Sequence, residues 1–300
     1  MGEEAAHDTT RRLSDVIPGR FGDPVSVQYA WMSPENAEAM PTRPLFLALH
    51  GWGSNERNIA GIMQYIAPYN DVVSLRAPLV LHAPEGVSAG AYSWFHDAVP
   101  SGDDLDHDIA AAARAVDQWV DGHIPATRDV VPIGFSQGGA VAVHLLRMHP
   151  ERYRAVINLS GFLAPADVPG TAPADDRLAD FEIPVYFGYG KNDAVIPKYE
   201  LFAAAAWLEE HTWLTTKSYR GLDHAVSLDE FRISGNGLYC TTSRPACCDP
   251  REPIGRNHPV QMLLSASTLM TNTLRRRAFA WARVMSPASS MSWMMPSSMP

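Results

Sequence analysis

One stretch of the chain, residues 129–140, constrains the fold more than any other. An apolar, β-branched run at 130–133 ends abruptly in the sequence GFSQG at 134–138. Apolar residues at helical spacing then resume over 140–146. The sequence therefore predicts a buried strand, a sharp turn and a helix, the repeating unit of a parallel α/β sheet.

Ser136 stands at the tip of this predicted turn. Gly134 and Gly138 flank it, and small residues are needed there because the strand and the helix nearly collide. The N–H of Gln137, at the start of the helix, has no intrahelical partner and can stabilise an oxyanion. Ser136 is thus a candidate nucleophile; a glycine-rich turn with an idle serine is the alternative interpretation.

Composition limits the class of protein. The chain has 300 residues, 46% of them hydrophobic, and a net charge of −9. The apolar fraction suffices for a large core, and the acidic balance argues against nucleic acid as a partner. No apolar run reaches the length of a membrane span, and the acidic start lacks the order of a signal peptide, so we expect a cytoplasmic protein.

Cysteine usage points the same way. Residues 1–239 contain none, and all three cysteines lie at 240, 247 and 248. This number and spacing make neither a disulfide framework nor a zinc site.

Acidic residues at 103, 104, 106 and 108 could suggest metal ligands. Carboxylates are favoured in the first turn of a helix, however, and we interpret these residues as a helix start. Neither these residues nor the cysteines therefore predict a metal site.

Strands and helices alternate after a loose N-terminal arm at 1–24. This order predicts an α/β fold, with a mostly parallel sheet and helices on both faces. Ligands of such sheets bind outside the carboxyl ends of the strands. The predicted strands are 25–31, 44–50, 79–84, 130–133, 155–160, 183–188 and 214–219, and the helices are 59–66, 105–124, 140–146 and 201–210.

A serine nucleophile needs a base, and the base needs a group that fixes its tautomer. In this fold class the chain order is serine, acid, histidine. Asp193 and His224 each follow a predicted strand in that order. Asp193 could instead be a simple turn residue, and Asp223 is the rival acid, although its position next to His224 makes it a poor orienter.

Two further loops are expected at the carboxyl ends of the predicted strands, near Ser136. Gly51 and Gly53 flank Trp52 after the strand that ends at His50, and the N–H of Trp52 is the candidate second oxyanion donor. An ordinary glycine-capped turn is the alternative. The long connection at 85–102 carries Trp94 and Phe95, and such loops tend to line binding sites.

Together these motifs resemble the small carboxylesterase, acyl-protein thioesterase and lysophospholipase family of α/β hydrolases. The resemblance rests on HGWG at 50–53, SWF at 93–95, GFSQGG at 134–139, LSGFL at 159–163, GKND at 190–193 and DH at 223–224.

This resemblance implies a hydrolase without a cap domain that works without metal or cofactor on a small ester or acyl substrate. By position, Ser136 is similar to the family's nucleophile, His224 to its general base and Asp193 to the orienting acid. The amides of Trp52 and Gln137 would form the oxyanion hole. The implied substrate-binding side chains are Trp94, Phe95, Phe162 and Leu163.

The chain departs from the family near its end. The helix that begins after His224 is cut short by SGNG at 234–237, and the remainder carries seven arginines against two acids. We predict a hydrolase domain at 25–233 and a largely disordered extension at 234–300, in which 261–285 could form a helix. A basic segment at 275–277 that binds a partner or a membrane surface is an alternative.

The function predicted is that of a serine hydrolase cleaving carboxylic ester or thioester bonds through an acyl-enzyme. A lysophospholipase or acyl-protein thioesterase is the same-mechanism alternative. A second alternative is an acyl-ligand-binding protein in which the shortened final helix has displaced His224 and impaired catalysis. A peptidase of the same fold is a weaker option. The oligomeric state is not predicted.

Overall fold

The computed structural model describes residue 17 and residues 19–33, 43–83, 90–97 and 101–227. Strands and helices alternate along these ranges as the sequence predicts. The strands are β1 (Ala30–Met32), β2 (Leu45–Leu49), β3 (Val72–Leu75), β4 (Leu79–His82), β5 (Ala91–Ser93), β6 (Val130–Phe135), β7 (Val156–Leu159), β8 (Pro184–Gly190) and β9 (Trp213–Tyr219). The helices are α1 (Glu56–Ile66), α2 (Gly102–His123), α3 (Gln137–Met148), α4 (Asp175–Leu178) and α5 (Lys198–His211).

Seven strands form the central sheet in the order β1-β3-β2-β6-β7-β8-β9. Only β1 runs antiparallel to its neighbour; the remaining strand pairs are parallel. The parallel strands therefore bring their carboxyl ends, and the loops that follow them, to one edge. The predicted α/β class is confirmed, and no cap domain is inserted within the described ranges.

The sheet is covered on both faces. Along β2, Leu45, Leu47 and Leu49 enter one core, and Phe46 and Ala48 enter the other. Helices α2, α3 and α5 pack into the first core, and α1 packs into the second. This double burial explains why every residue of β2 is apolar. Among the helices bounded above, none combines the length and apolarity that crossing a bilayer requires.

Four strands differ from the prediction, among them β5, which lies within the connection expected at 85–102. The sequence analysis did not identify β3, although its four residues are fully buried in the central sheet. The segment at 79–82 is a strand, but β4 pairs with β5 in a separate antiparallel sheet of two strands. Half-exposed and exposed residues alternate along β4, as in a strand at the surface. The expected first strand is also shorter, because pairing begins only at Ala30.

Part of the predicted N-terminal arm is anchored. The N–H of Ile17 donates to the carbonyl of His96, and the N–H of Gly22 donates to Asp108. Residues 1–16 and 18 of the predicted arm, residues 228–233 of the predicted final helix and the predicted extension at 234–300 lie outside the described residues.

Candidate active site

Ser136 lies in the turn between β6 and α3 with φ 56° and ψ −120°. Side chains rarely adopt a positive φ, and such strain persists only where the surrounding structure imposes it. The Ser136 N–H donates to the carbonyl of Leu159 at 2.9 Å, which ties the turn to the end of β7. The sharp turn predicted from GFSQG is therefore present, with the serine at its tip.

Close packing of the backbone imposes this geometry. A Cβ added at Gly134 would lie 2.0 Å from the carbonyl oxygen of Gly138. A Cβ added at Gly138 would lie 2.1 Å from the carbonyl oxygen of Leu49, at the end of β2. Both distances are far below van der Waals contact, so only glycine permits strand and helix to approach this closely.

His224 bridges the serine and an acid. Its Nε2 lies 2.9 Å from the Ser136 Oγ, and its Nδ1 lies 2.8 Å from Asp193 Oδ2. Because a carboxylate can only accept, Nδ1 carries the proton, and Nε2 of the neutral ring is free to accept from the serine hydroxyl. The Phe135 ring packs against the imidazole, with centroids 4.9 Å apart.

The side chain of Asp193 is buried and held from both sides. Its Oδ1 accepts from the N–H groups of Val195 and Ile196, both at 2.9 Å. Burial alone raises the pKa of this carboxyl, but the hydrogen bond and charge of His224 and the two N–H groups outweigh it. The pKa of Asp193 consequently lies below its ordinary value, and the group is an anion at neutral pH.

The alternative acid, Asp223, bonds backbone N–H groups rather than the imidazole. Its Oδ1 accepts from the N–H groups of His224 and Ala194, at 2.8 and 3.0 Å, while the side chain of His224 turns to Asp193. Asp223 therefore joins the loop after β9 to the loop after β8. Two other histidines have partners of their own: His144 is buried and bonds the carbonyl of Thr171, and His211 bonds the carbonyl of Trp207.

The loop after β2 lies directly against the elbow. A Cβ at Gly51 would lie 3.4 Å from the Ser136 Cβ. Within the described part of the chain, no acceptor takes the N–H of Trp52 or that of Gln137. The two amides named from the sequence are therefore unused donors, one in the loop that lies against Ser136 and one in the residue that follows it.

His50 supports that loop. Its Nδ1–H donates to the carbonyl of Gly51 at 2.7 Å, and its Nε2 accepts from the N–H of Ala77 at 3.0 Å. Burial lowers the pKa of His50 to about 4, so the ring is neutral, as this pair of bonds requires. The Trp94 indole N–H donates to the His50 carbonyl at 2.8 Å.

The side chain of Gln137 holds the segment at 93–97, a role that the sequence analysis did not identify. Its Oε1 accepts from the Ser93 hydroxyl and from the N–H of Trp94, both at 3.1 Å. Its Nε2 donates to the carbonyl of Asp97. A buried glutamine directly after Ser136 could contact many different groups, and no pattern in the sequence specifies these partners.

The four residues expected to contact substrate divide into two pairs. Trp94 and Phe95 are only 1% and 0% exposed, and they pack beneath the site. Phe162 is buried edge-to-face against Phe95, and Leu163, next to it, is half-buried. Substrate contact stays a prediction for all four, and in this structure Leu163 offers the most surface.

The acidic residues near the start of α2 mostly serve the backbone. Asp106 accepts from the N–H groups of Ala166 and Val168, and Asp108 from those of Gly22 and His96. Asp103 and Asp104 lie in the first turn of α2, in agreement with the interpretation as a helix start. Over the described residues, no group of three or more His, Cys, Asp or Glu side chains could hold a metal ion.

Comparison with known proteins agrees with this geometry. The model of the phospholipase/carboxylesterase family matches residues 36–241, about two thirds of the chain. The chain belongs to this family. Its members are carboxylesterase-type hydrolases, and the predicted function and family are confirmed at that level.

Acyl-protein thioesterases of yeast are among the proteins that this chain is similar to. The chain is 25% identical over 212 residues to acyl-protein thioesterase 1 of Kluyveromyces lactis, a match covering 65% of this chain and 91% of that protein. Acyl-protein thioesterase 2 of Zea mays shares the fold at a TM-score of 0.57 and 20% identity, with 72% and 99% of the two chains covered. A carboxylesterase of Bacillus cereus does so at 0.53 and 16%, with 71% and 93% covered.

Proposed function

We propose that this family member is a serine hydrolase in which Ser136 is the nucleophile, His224 the general base and Asp193 the orienting acid. One observation carries the proposal: a single imidazole lies 2.9 Å from the Ser136 Oγ and 2.8 Å from Asp193 Oδ2. The strained turn, the buried carboxylate and the chain order of the three residues support it.

The reaction begins when the Ser136 Oγ attacks the carbonyl carbon of the ester and its proton moves to His224 Nε2. The C–O or C–S bond then breaks, and the imidazolium gives that proton to the departing alcohol or thiol. Water, deprotonated by the same nitrogen, attacks the acyl-enzyme, and its proton returns to Ser136 as the acid leaves. Asp193 holds the tautomer and stabilises the imidazolium throughout.

Negative charge develops on the carbonyl oxygen at each attack. We assign its stabilisation to the N–H groups of Trp52 and Gln137, because both are unused donors beside Ser136. Gln137 also stands at the N-terminus of α3, where the helix dipole favours an anion. A donor of this kind contributes about 10²–10³ to turnover.

A thioesterase acting on acylated protein is the second candidate. The observation that favours it is the similarity to acyl-protein thioesterase 1 of Kluyveromyces lactis over 91% of that protein's length. The same triad serves both substrates, because the attacked carbonyl is alike and only the leaving atom differs. Access past Leu163 would decide between a small ester and an acyl chain attached to a protein.

Hydrolysis of p-nitrophenyl esters, from acetyl to palmitoyl, by the full chain and by Ser136→Ala tests the proposal. We expect serine-dependent turnover, and a fluorophosphonate probe should add its mass to Ser136 alone. Palmitoyl-thioester hydrolysis in parallel distinguishes the two substrates. Turnover that survives in Ser136→Ala would refute the assignment, and a folded but inactive wild type would favour the acyl-binding alternative.

We further propose that the catalytic domain spans about 25–233, since the triad and the sheet lie inside these bounds. A chain ending at Ile233 should then keep the full turnover. Loss of activity on this truncation, with the fold lost as well, would place part of the domain beyond residue 233.

A further inference from the structure

Helix α5 is apolar on both of its faces. Leu201, Ala204 and Leu208 point into the core. On the outer face, Tyr199 is 70% exposed and Phe202 is 59% exposed. An outer helical face is ordinarily polar, so these two large side chains need an explanation other than packing within the described fold.

This exposed stripe begins beside the proposed acid. Val195 is 51% exposed and precedes Tyr199 by four residues, while its own N–H donates to Asp193 Oδ1. The stripe therefore starts two residues from Asp193, at the edge of the sheet where His224 and Ser136 meet, and continues into the first turns of α5.

Lysine is confined to the same region. The chain of 300 residues contains only three lysines, Lys191, Lys198 and Lys217. The first two are exposed and bracket Val195. The ammonium of Lys217 lies 4.9 Å from the ring centroid of Tyr219, and the carbonyl of Tyr219 accepts from the N–H of Lys191. All three cations thus surround the carboxyl ends of β8 and β9.

The acidic residues nearby do not outnumber the cations. Asp193 is buried against His224. Glu200 in the first turn of α5 and the exposed Asp223 stand against the three lysines and the exposed Arg220, which directly follows Tyr219. Glu209 and Glu210 lie at the far end of α5, about 16 Å along its axis from Lys198. The region is therefore cationic in a chain whose net charge is −9.

We propose that Val195, Tyr199 and Phe202, together with Lys191 and Lys198, form a docking surface for an anionic phospholipid bilayer. Aromatic and aliphatic side chains enter the boundary between headgroups and acyl chains, while lysines extend to the anionic headgroups. The acidic remainder of the protein is repelled by the same bilayer, so the catalytic edge faces the lipid. This surface goes beyond the proposed ester chemistry and does not depend on it.

Sedimentation of the full chain with phosphatidylcholine vesicles, with and without phosphatidylserine, tests the surface. We expect binding to the phosphatidylserine vesicles that is lost in high salt. The double variant Tyr199→Ala/Phe202→Ala should lower the partition coefficient at least about tenfold. Lys191→Gln and Lys198→Gln should each lower it about fivefold.

Matched controls lie on the opposite face of the sheet, on α1. Tyr65 is 64% exposed and Arg57 is also exposed; Tyr65→Ala and Arg57→Gln should bind vesicles as the wild type does. All variants should unfold on heating at the wild-type temperature, which shows that they are folded, and should hydrolyse a soluble acetyl ester at the wild-type rate.

Two results would overturn the docking surface. The first is equal vesicle binding by the wild type and the Tyr199/Phe202 double variant. The second is a wild type that sediments as a dimer without vesicles and becomes a monomer in the double variant, which would assign the stripe to a second copy of the chain. Vesicle binding by a protein that hydrolyses no ester would instead contradict only the proposed function.

Discussion

The elbow that carries Ser136 and the loops that carry Asp193 and His224 reach the same point by different means. The elbow is held by shape: backbone atoms of β2, β6 and α3 approach so closely that a single Cβ at Gly138 would collide with the Leu49 carbonyl. The two loops are held by hydrogen bonds: Asp193 accepts N–H groups of its own loop, and Asp223 accepts one N–H group from each loop.

The two parts of the site should therefore be sensitive to different kinds of substitution. A sterically fixed turn does not respond to charge or pH, but it tolerates no added atom. Loops joined through carboxylates tolerate a change of volume, yet depend on the charge and acceptor capacity of those groups. Substitutions in the elbow should therefore lower mainly the stability of the protein, and substitutions in the two loops should lower mainly kcat.

The largest effect is expected where the two regions meet, at Ser136. Ser136→Ala removes the atom that His224 faces and should lower kcat for a p-nitrophenyl ester by about 10⁵-fold or more. Its thermal unfolding should match that of the wild type, because only one hydroxyl is lost. A residual rate within tenfold of the wild type would mean that another residue is the nucleophile.

The next effect separates the two aspartates of the loops. Asp193→Asn should lower kcat by about 10³–10⁴-fold, since the amide no longer holds the required tautomer of His224. Asp223→Asn is the matched control: its amide oxygen can still accept from the backbone, and kcat should change by no more than about threefold. A greater loss in Asp223→Asn would show that the acid is wrongly assigned.

A steric change in the elbow should act on stability rather than on chemistry. Gly138→Ala places a methyl group 2.1 Å from the Leu49 carbonyl and should lower the free energy of unfolding by about 3 kcal/mol or more. Urea unfolding measures this loss. Gly61→Ala on α1, where a Cβ meets nothing within 4 Å, is the control and should be neutral or stabilising. Equal stability of the two variants would contradict the steric account.

The smallest effect concerns His50 and pH. Burial lowers the pKa of His50 in the folded protein to about 4. As the pH falls, the unfolded chain therefore takes up a proton at this histidine before the folded protein does. The free energy of unfolding consequently falls as the pH drops from about 6.5 toward 4. Between pH 6.5 and 5.5 this group should account for about 1 kcal/mol of lost stability.

His50→Gln should reduce that pH dependence, as measured by urea unfolding at both values. It should not abolish it, because burial lowers the pKa of His144 as well, to about 3. An unchanged slope in His50→Gln would mean that His50 does not couple folding to pH.

The sequence predicted the parts of the site that local chemistry determines. Gly134, Ser136 and Gly138 form a strained turn only in that spacing, and Asp193 and His224 stand directly after strands. Their meeting point then follows from parallel topology, because the carboxyl ends of parallel strands share one edge. The assignment of Asp193 over Asp223 as the residue that contacts the imidazole likewise agrees with the distances.

What the sequence did not predict depends on distant partners. The four residues of β3 are too short a run to reveal a central strand, and 79–82 carries an equally apolar pattern but pairs elsewhere. The supporting bonds of Gln137 join residues more than 40 positions apart. Trp94 likewise has a distant partner: it is buried in the core, and its indole N–H donates to the carbonyl of His50.

The φ of 56° at Ser136 also limits which nucleophiles this scaffold can accept by redesign. Cysteine has the same unbranched Cβ as serine and can occupy the turn at little steric cost. Threonine is β-branched, and a branched Cβ at positive φ is strongly disfavoured. The backbone conformation of the elbow therefore accommodates a cysteine at position 136, whose thiol would replace the hydroxyl. The same conformation disfavours a threonine there.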